Sequence, residues 1–432
     1  MAVASRALPQ TPPRSRRKPK PVEYNILLTA TLCLLAAGAV MVYSASSART
    51  LLEGQGDGTA YLVKYLAYGT VGFVVLQLLA RGGLELLPKL TPALLGLSFA
   101  LLVVVKLPGI GVTINGAQRW IGAGPLQFQP SELMKLALVL HAAAVLATSP
   151  RRLATTRSVI RPLLLVGGAA ILLIASQPDL GTALVIAFTL GALLLVAGVP
   201  LALLARTALA CAVLVLLFAL VDPERASRLT AFVNPWGDPS DTGFQAVQGQ
   251  IALGSGGLFG VGLGESVQKV FYLPEAHTDF ILAVIGEELG VAGICGVLLL
   301  YGMIGYAGLR TAKAAATRYQ QLLAAGLTAL ILCQALLNTC AVLGLAPLTG
   351  VPLPFISSGS SSLLVLLATM GLLLNIAARS TSHLTIAPRP PGVRADARGS
   401  ARASDSADRG RRDGGARGAR AGGRRTADGR GR

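Results

Sequence analysis

The sequence predicts an all-α polytopic membrane protein with ten transmembrane helices and a large extracytoplasmic loop between spans seven and eight. Three observations carry that expectation. Apolar runs of bilayer-spanning length, about 20 residues each, recur along the 432-residue chain. Hydrophobic residues make up 53% of the sequence and charged residues 13%, with a mean hydropathy of +0.62. A soluble domain carries about 25% charged residues. The runs are also continuous rather than alternating, which argues against a β-barrel.

The expected spans lie near 24–45, 60–80, 88–107, 131–148, 160–176, 179–198, 201–221, 279–306, 320–343 and 358–378. They divide the chain into a basic N-terminal tail (1–23), a ten-span domain (24–378) and an Arg/Gly-rich C-terminal tail (379–432). The first run reads superficially as a signal peptide ending near "YSASSA", but the spans that follow favour a retained anchor. Lys and Arg set the orientation. Arg14, Arg16, Arg17, Lys18 and Lys20 precede span one, and Arg81 and Lys89 flank the second loop. Arg151, Arg152, Arg157 and Arg161 lie in the fourth, and Arg310, Lys313 and Arg318 in the eighth. Ten spans place all of these on one side, so both termini are expected in the cytoplasm, with the odd-numbered loops outside.

The net charge of +18 resides mainly in the two tails rather than in the hydrophobic body. The C-terminal tail has no apolar periodicity and is expected to be disordered. It reads as a solvated arm that favours anionic lipid, and no specific nucleic-acid partner is expected. Cys33, Cys211, Cys295, Cys333 and Cys340 all fall inside apolar runs without metal-type spacing. The glycine run "GSGGLFGVGLG" (254–264) lacks both Walker spacing and the strand context of a dinucleotide fold. With no ATP site, an activated substrate has to bring its own energy.

Two outer loops stand out. Residues 108–130 contain "GVTINGAQRWIGAGPLQFQPSE", and residues 222–278 form much the longest connection. That loop has amphipathic pieces and glycine turns, so it is expected to fold back on the membrane. Ionisable groups at membrane depth are costly and mark pairs or function. Glu132 and Lys135 share a helix face in "QPSELMKLA". They read either as a structural ion pair or as a cation offered to an anionic substrate. Asp179 in "QPDLGTA" favours a helix N-terminus. Glu287 and Glu288 in span eight require a partner or a wet cavity. Thr278 and Asp279 in "LPEAHTDF" read either as a helix cap or, with Glu275 and His277 beside them, as the parts of a general base. "APLTGVPLPFISSGSSS" reads as a Pro/Gly hinge or as a phosphate-binding helix start.

Taken together, seven segments in order resemble the SEDS family, the FtsW, RodA and SpoVE group. They are "NGAQRWI" (115–121), "QPSELMKLA" (129–137), "QPDLGTA" (177–183), "FVNPWGDP" (232–239), "TGFQAVQGQIALGSGGLFGVGLG" (242–264), "QKVFYLPEAHTDFILAVIGEELG" (268–290) and "PLTGVPLPFISSGSSS" (347–362). The resemblance covers roughly residues 24–378 and stops at both tails.

The resemblance implies a peptidoglycan glycosyltransferase that polymerises lipid II at the outer face of the cytoplasmic membrane and releases undecaprenyl pyrophosphate. It puts the family's essential acid on Asp279, as general base. Lys135, Arg119 and Arg228 become candidates for offsetting pyrophosphate charge, with Glu132 holding Lys135. Ser357 and Ser358 would line the cavity, with Glu275 and His277 as the surroundings of Asp279. It leaves room for a divalent cation (Mg or Mn) near Asp279. It also implies a class B penicillin-binding protein as partner, with other division or elongation proteins around the pair. Two departures stand out: "SSGSSS" replaces the usual "SYGGSS" at Ser358 and Ser360, and Gln118 stands where a basic residue is common. "FYLPEAHTDF" with "IGEELG" favours the division branch, FtsW-like, while "PLTGVPLPF" looks more like the elongation and sporulation branches. A lipid II flippase is the rival reading, and a scaffold for the penicillin-binding protein a third.

Overall fold

The computed structural model describes residues 20–52, 58–114, 116–123, 126–148, 157–206, 231–270 and 272–380, with isolated positions 208, 209 and 213. The chain folds as a polytopic helical membrane protein. Its helices are α1 (Val22–Leu52), α2 (Ala60–Arg81), α3 (Leu87–Val104), α4 (Pro130–Ala147), α5 (Arg157–Ala175), α6 (Leu180–Ala197), α7 (Phe244–Ser255), α8 (Ile281–Ala314), α9 (Arg318–Val342) and α10 (Ser360–Arg379). Eight helices among the described residues are long and apolar enough to cross a membrane, and Arg161–Ala175 is a shorter apolar helix. These follow nine of the ten expected runs. The remaining run, the seventh (201–221), is described only at 201–206, 208, 209 and 213, and most of both tails and Arg228 lie outside the described residues.

Helices α4, α9 and α10 form the centre, and their side chains are mostly buried. By contrast α2 and α3 present Val63, Leu78 and Leu97 outward, as lipid-facing helices do. Inside a bilayer, close packing and polar contacts rather than water expulsion hold helices together, so small residues concentrate at crossings. Where α2 crosses α10, Gly72 lies under Leu367 and Gly371 lies against the backbone of Leu76. Gly308 of α8 packs on Thr328 of α9 in the same way.

The connection between α3 and α4 carries regular structure. Strands β1 (Gly111–Ile114), β2 (Ala117–Ala123) and β3 (Leu126–Phe128) make an antiparallel meander in the order β1-β2-β3. Ile114 pairs with Ala117 across a turn in which Gly116 has φ 73°, the left-handed conformation that an Asn-Gly hairpin turn needs.

Helix α8 runs for 34 residues but is broken at Gly290, where φ is 67° and ψ −164°. The glycine run after α7 lies along that break. Val261 N–H donates to Glu287 O (2.9 Å) and Gly262 N–H to Glu288 O (3.1 Å). In return Val291 N–H donates to Gly257 O (3.0 Å) and Ala292 N–H to Leu258 O (3.1 Å). The approach is so close that a Cβ on Gly256 would overlap the Gly286 carbonyl, and one on Gly260 the Glu288 carbonyl. The long loop thus folds back onto α8 and repairs its backbone.

Gly260 has φ 81° as well as this crowding, whereas a Cβ on Gly254 in α7 meets open space. Gly260→Ala is therefore expected to lower stability by about 2–3 kcal/mol. Gly254→Ala should change it by less than about 1 kcal/mol. Thermal unfolding of the detergent-purified variants checks both, and equal midpoints would contradict the packing described.

Candidate active site

At the end of the bundle that carries the β-meander, the turn 274–280 leads into α8. The helix does not begin where the sequence places it. Its N-cap is Phe280, which makes no side-chain capping bond. Of the two readings of Thr278 and Asp279, the helix cap is thus the one these side chains do not make. The turn is held by other parts of the molecule, so Asp279 stops short of the position from which it would meet the first-turn amides.

Three tertiary braces hold that turn. Ser357 Oγ donates to Thr278 O (2.5 Å) and accepts from Leu353 N–H (2.8 Å). Ser358 N–H donates to His277 O (3.0 Å). Asn338 Nδ2 of α9 donates to Asp279 O (2.7 Å) and to Val351 O (2.8 Å). The 351–357 segment is itself pinned, because Tyr65 of α2 donates to Phe355 O (2.5 Å) and Tyr301 of α8 to Pro354 O (2.6 Å). Glu275 (φ 53°) and Phe355 (φ 65°) both sit in the left-handed region that non-glycine residues avoid, strain of the kind that collects at functional sites.

The Asp279 side chain is partly buried. The Thr278 hydroxyl lies 2.8 Å from Glu275 Oε2, 3.0 Å from Glu275 O and 3.3 Å from Asp279 Oδ1. It has one proton to give, and Asp279 is the most distant acceptor. Burial pushes the Asp279 carboxyl up to about 7, helped by the negative charge of Glu275, while backbone amides and the Thr278 hydroxyl pull the other way. A carboxylate so placed exchanges a proton near neutrality, as a general base should. The His277 ring packs on Tyr61 of α2 with centroids 4.3 Å apart.

Lys135 and Glu132 do share a face and pair, at 2.9 Å. The pair is buried, and Lys135 Nζ also donates to Gln334 Oε1 (2.6 Å). Gln334 in turn donates to Pro352 O (3.0 Å). Lys135 therefore reaches the Asp279 turn only indirectly, through Gln334, the 351–352 peptide and Asn338. Ser357 is likewise buried, with its hydroxyl engaged by backbone groups, so it braces the site in this conformation. Ser358 is half-buried.

Arg119 of β2 donates from Nε to Gln177 O (2.9 Å) and from Nη2 to Pro178 O. That anchors the meander to the start of α6. There Asp179 is the expected N-cap, accepting from Thr182 N–H (3.2 Å), and it also accepts from Gln129 Nε2 (2.9 Å) and Ser131 Oγ (3.2 Å). Arg119 and Asp279 thus sit on different struts of the same end.

The structure also reveals groups that the sequence pattern does not single out. Gln334 and Asn338 are amide side chains four apart in a mostly apolar helix, and that spacing is a usable signal of a shared, partnered face. Lys269 in the long loop carries no such signal, yet it is buried against Glu288. Among the described residues no group of three or more His, Cys, Asp or Glu converges. The two carboxylates of Glu275 and Asp279 fall short of a resident metal cage.

Comparison with known proteins completes the picture. A family model described as a cell cycle protein, that of FtsW, RodA and SpoVE, matches residues 25–382. Stage V sporulation protein E of Bacillus subtilis is 38% identical over 354 residues, 81% of this chain and 96% of that relative. A probable peptidoglycan glycosyltransferase FtsW of Thioalkalivibrio sulfidiphilus is 41% identical over 357 residues, 81% of this chain and 88% of its own. Among solved structures, the rod shape determining protein RodA of Thermus thermophilus superposes with a TM-score of 0.60 at 30% identity, covering 81% of this chain and 95% of that one. A chain from a study of how a peptidoglycan synthase complex coordinates polymerization and crosslinking gives a TM-score of 0.66 at 29% identity, over 82% and 98%. With the fold, the order of its motifs and these relatives in agreement, the chain belongs to the FtsW, RodA and SpoVE family of cell cycle proteins.

Proposed function

We propose that this chain is a peptidoglycan glycosyltransferase that polymerises lipid II at the outer face of the bacterial cytoplasmic membrane. The observation that carries this reading is Asp279: a partly buried carboxylate with its proton affinity raised to about 7, on a turn fixed by α9, the 351–358 segment and α8. The names of the relatives support the activity, and the distribution of Lys and Arg supports ten spans with both termini inside.

In this mechanism Asp279 accepts the proton of the GlcNAc 4-hydroxyl of the acceptor lipid II. The freed oxygen attacks the anomeric carbon of the growing chain, and the bond to undecaprenyl pyrophosphate breaks. The leaving pyrophosphate needs positive charge beside it. Arg119, half-buried on the meander, is better placed for that than Lys135, whose ammonium is enclosed by Glu132 and Gln334. Arg228 lies outside the described residues. Glu275 keeps Asp279 basic through its charge, and His277, packed on Tyr61, holds the preceding backbone. The chain acts with a class B penicillin-binding protein that cross-links the new strands, and among the branches of the family it serves division.

The purified protein with its partner and labelled lipid II is expected to form glycan polymer, and Asp279→Asn to lower the rate by about 10²–10⁴-fold. Transfer of lipid II across vesicles without polymer would favour a flippase instead. A scaffold predicts normal growth of cells carrying Asp279→Asn.

The rate should also depend on pH in a definite sense. The base is competent only when ionised, so activity rises with pH through about 7. It should fall about tenfold for each unit below that, and a flat profile between pH 5 and 8, roughly the window over which such a group titrates, would contradict the assignment.

The role of Lys135 is separable from its contribution to folding. Removing one partner of a buried pair leaves a lone charge and costs about 3–5 kcal/mol, whereas neutralising both is tolerated. Lys135→Met is therefore expected to unfold readily, and Glu132→Gln/Lys135→Met to regain most of the stability. If the folded double variant still polymerises lipid II at near the native rate, Lys135 is structural and the leaving group is held elsewhere.

A further inference from the structure

Below the Asp279 turn lies a buried polar cluster that the mechanism does not use. Lys269 Nζ donates to Glu288 Oε1 (2.7 Å), Gly264 O (2.7 Å) and Ser44 Oγ of α1 (3.1 Å). An ammonium has three protons, so all are engaged. Ser44 Oγ donates in its turn to the Glu288 carboxylate (2.6 Å). The neighbouring Glu287 accepts from Ser266 Oγ (2.5 Å) and from the amides of Val267 (3.0 Å) and Gln268 (3.4 Å). Lys269, Glu287 and Glu288 are 5%, 2% and 0% exposed.

The placement of this cluster along the chain gives it meaning. Asp279 stands midway between Lys269 and Glu288, so the ion pair closes the base of the very loop that carries Asp279 near its apex. Residues 264–269 form one leg of that base and Glu287 and Glu288 the other, with Ser44 tying both to the first helix. The apex is held independently by Asn338, Ser357 and Ser358. Closing a loop at its base lowers the conformational entropy that its apex contacts have to overcome.

We infer that Lys269 and Glu288, seconded by Glu287, are positioning residues for Asp279: a buried clamp that sets where the loop stands over the acceptor. This rests on the reading of Asp279 as the base. It assigns the clamp no contact with substrate.

Hydrogen exchange and steady-state polymerisation on the full-length protein with its partner, using labelled lipid II, test it. Lys269→Met strands a buried Glu288 and threatens folding, so Glu288→Gln/Lys269→Met, which leaves no lone charge, is the informative variant. The clamp predicts that this double variant stays monodisperse and loses about tenfold or more in kcat with KM within about twofold, because misplacement of a reacting group acts on the chemical step. Its amides over 272–280 should exchange about tenfold faster than native, as local opening allows. Lys269→Arg, which keeps the charge, should recover both properties to within about threefold. Native exchange in the double variant, or a kcat loss without faster exchange there, would overturn the clamp. Asp279→Asn is expected to keep native exchange while losing activity. If it proves active, the base reading fails, and the exchange data still judge the clamp.

Discussion

Helix α8 breaks at Gly290, and the peptide groups released by that break have to find partners where little water reaches. In an apolar medium an unpartnered amide or carbonyl costs several kcal/mol, so the break exists only because something repairs it. The repair is the glycine run 256–262, which supplies two amides to the carbonyls of Glu287 and Glu288 and takes back two from Val291 and Ala292. At Gly256 and Gly260 only a residue without a Cβ can approach so closely. Much of the site architecture follows from this contact. It fixes the long loop to α8, brings Lys269 within reach of Glu288, and sets the level from which the Asp279 turn rises.

Above that base, the site is built by bringing separate helices to one short segment. Residues 351–358 receive Tyr65 from α2, Tyr301 from α8, and Gln334 and Asn338 from α9. They then give Ser357 and Ser358 to the Asp279 turn. The segment acts as a hub because it is neither helix nor strand, so the carbonyls of Val351, Pro352, Pro354 and Phe355 are open to side-chain donors. Fixing the turn in this way leaves the Asp279 carboxylate with weak partners while its backbone is tightly held. That combination suits the role proposed for Asp279: a settled position and an available lone pair.

Much of this is legible in the sequence, for physical reasons that differ by element. The spans stand out because a continuous apolar run of about 20 residues finds its lowest free energy in a bilayer. The Glu132–Lys135 pair and the Asp179 cap follow from local helix geometry, which depends only on near neighbours. The start of α8 misleads for the same reason: Thr278 and Asp279 are good caps locally, and the bonds that prevent capping come from residues some 60 to 80 positions away. The break at Gly290 is hidden because a single glycine is common in an apolar membrane helix. The meander escapes because its strands are short, although its Asn-Gly turn is in view. Lys269 has no local signature; only the folded chain shows that a loop lysine is a buried cation.

Gln334 and Asn338 stand one helical turn apart on α9, and their amides end on the consecutive carbonyls of Pro352 and Val351. One of them holds the buried Lys135 and the other the backbone of Asp279. The spacing between the two is therefore ruled by the helix repeat, about 6 Å for four residues. A single residue inserted between them would turn one through about 100° and break the registry at both ends. Substitutions on the outward face, where Leu336 is 64% exposed, leave that ruler intact. In this part of α9, then, the number of residues is constrained more tightly than the identity of most of them.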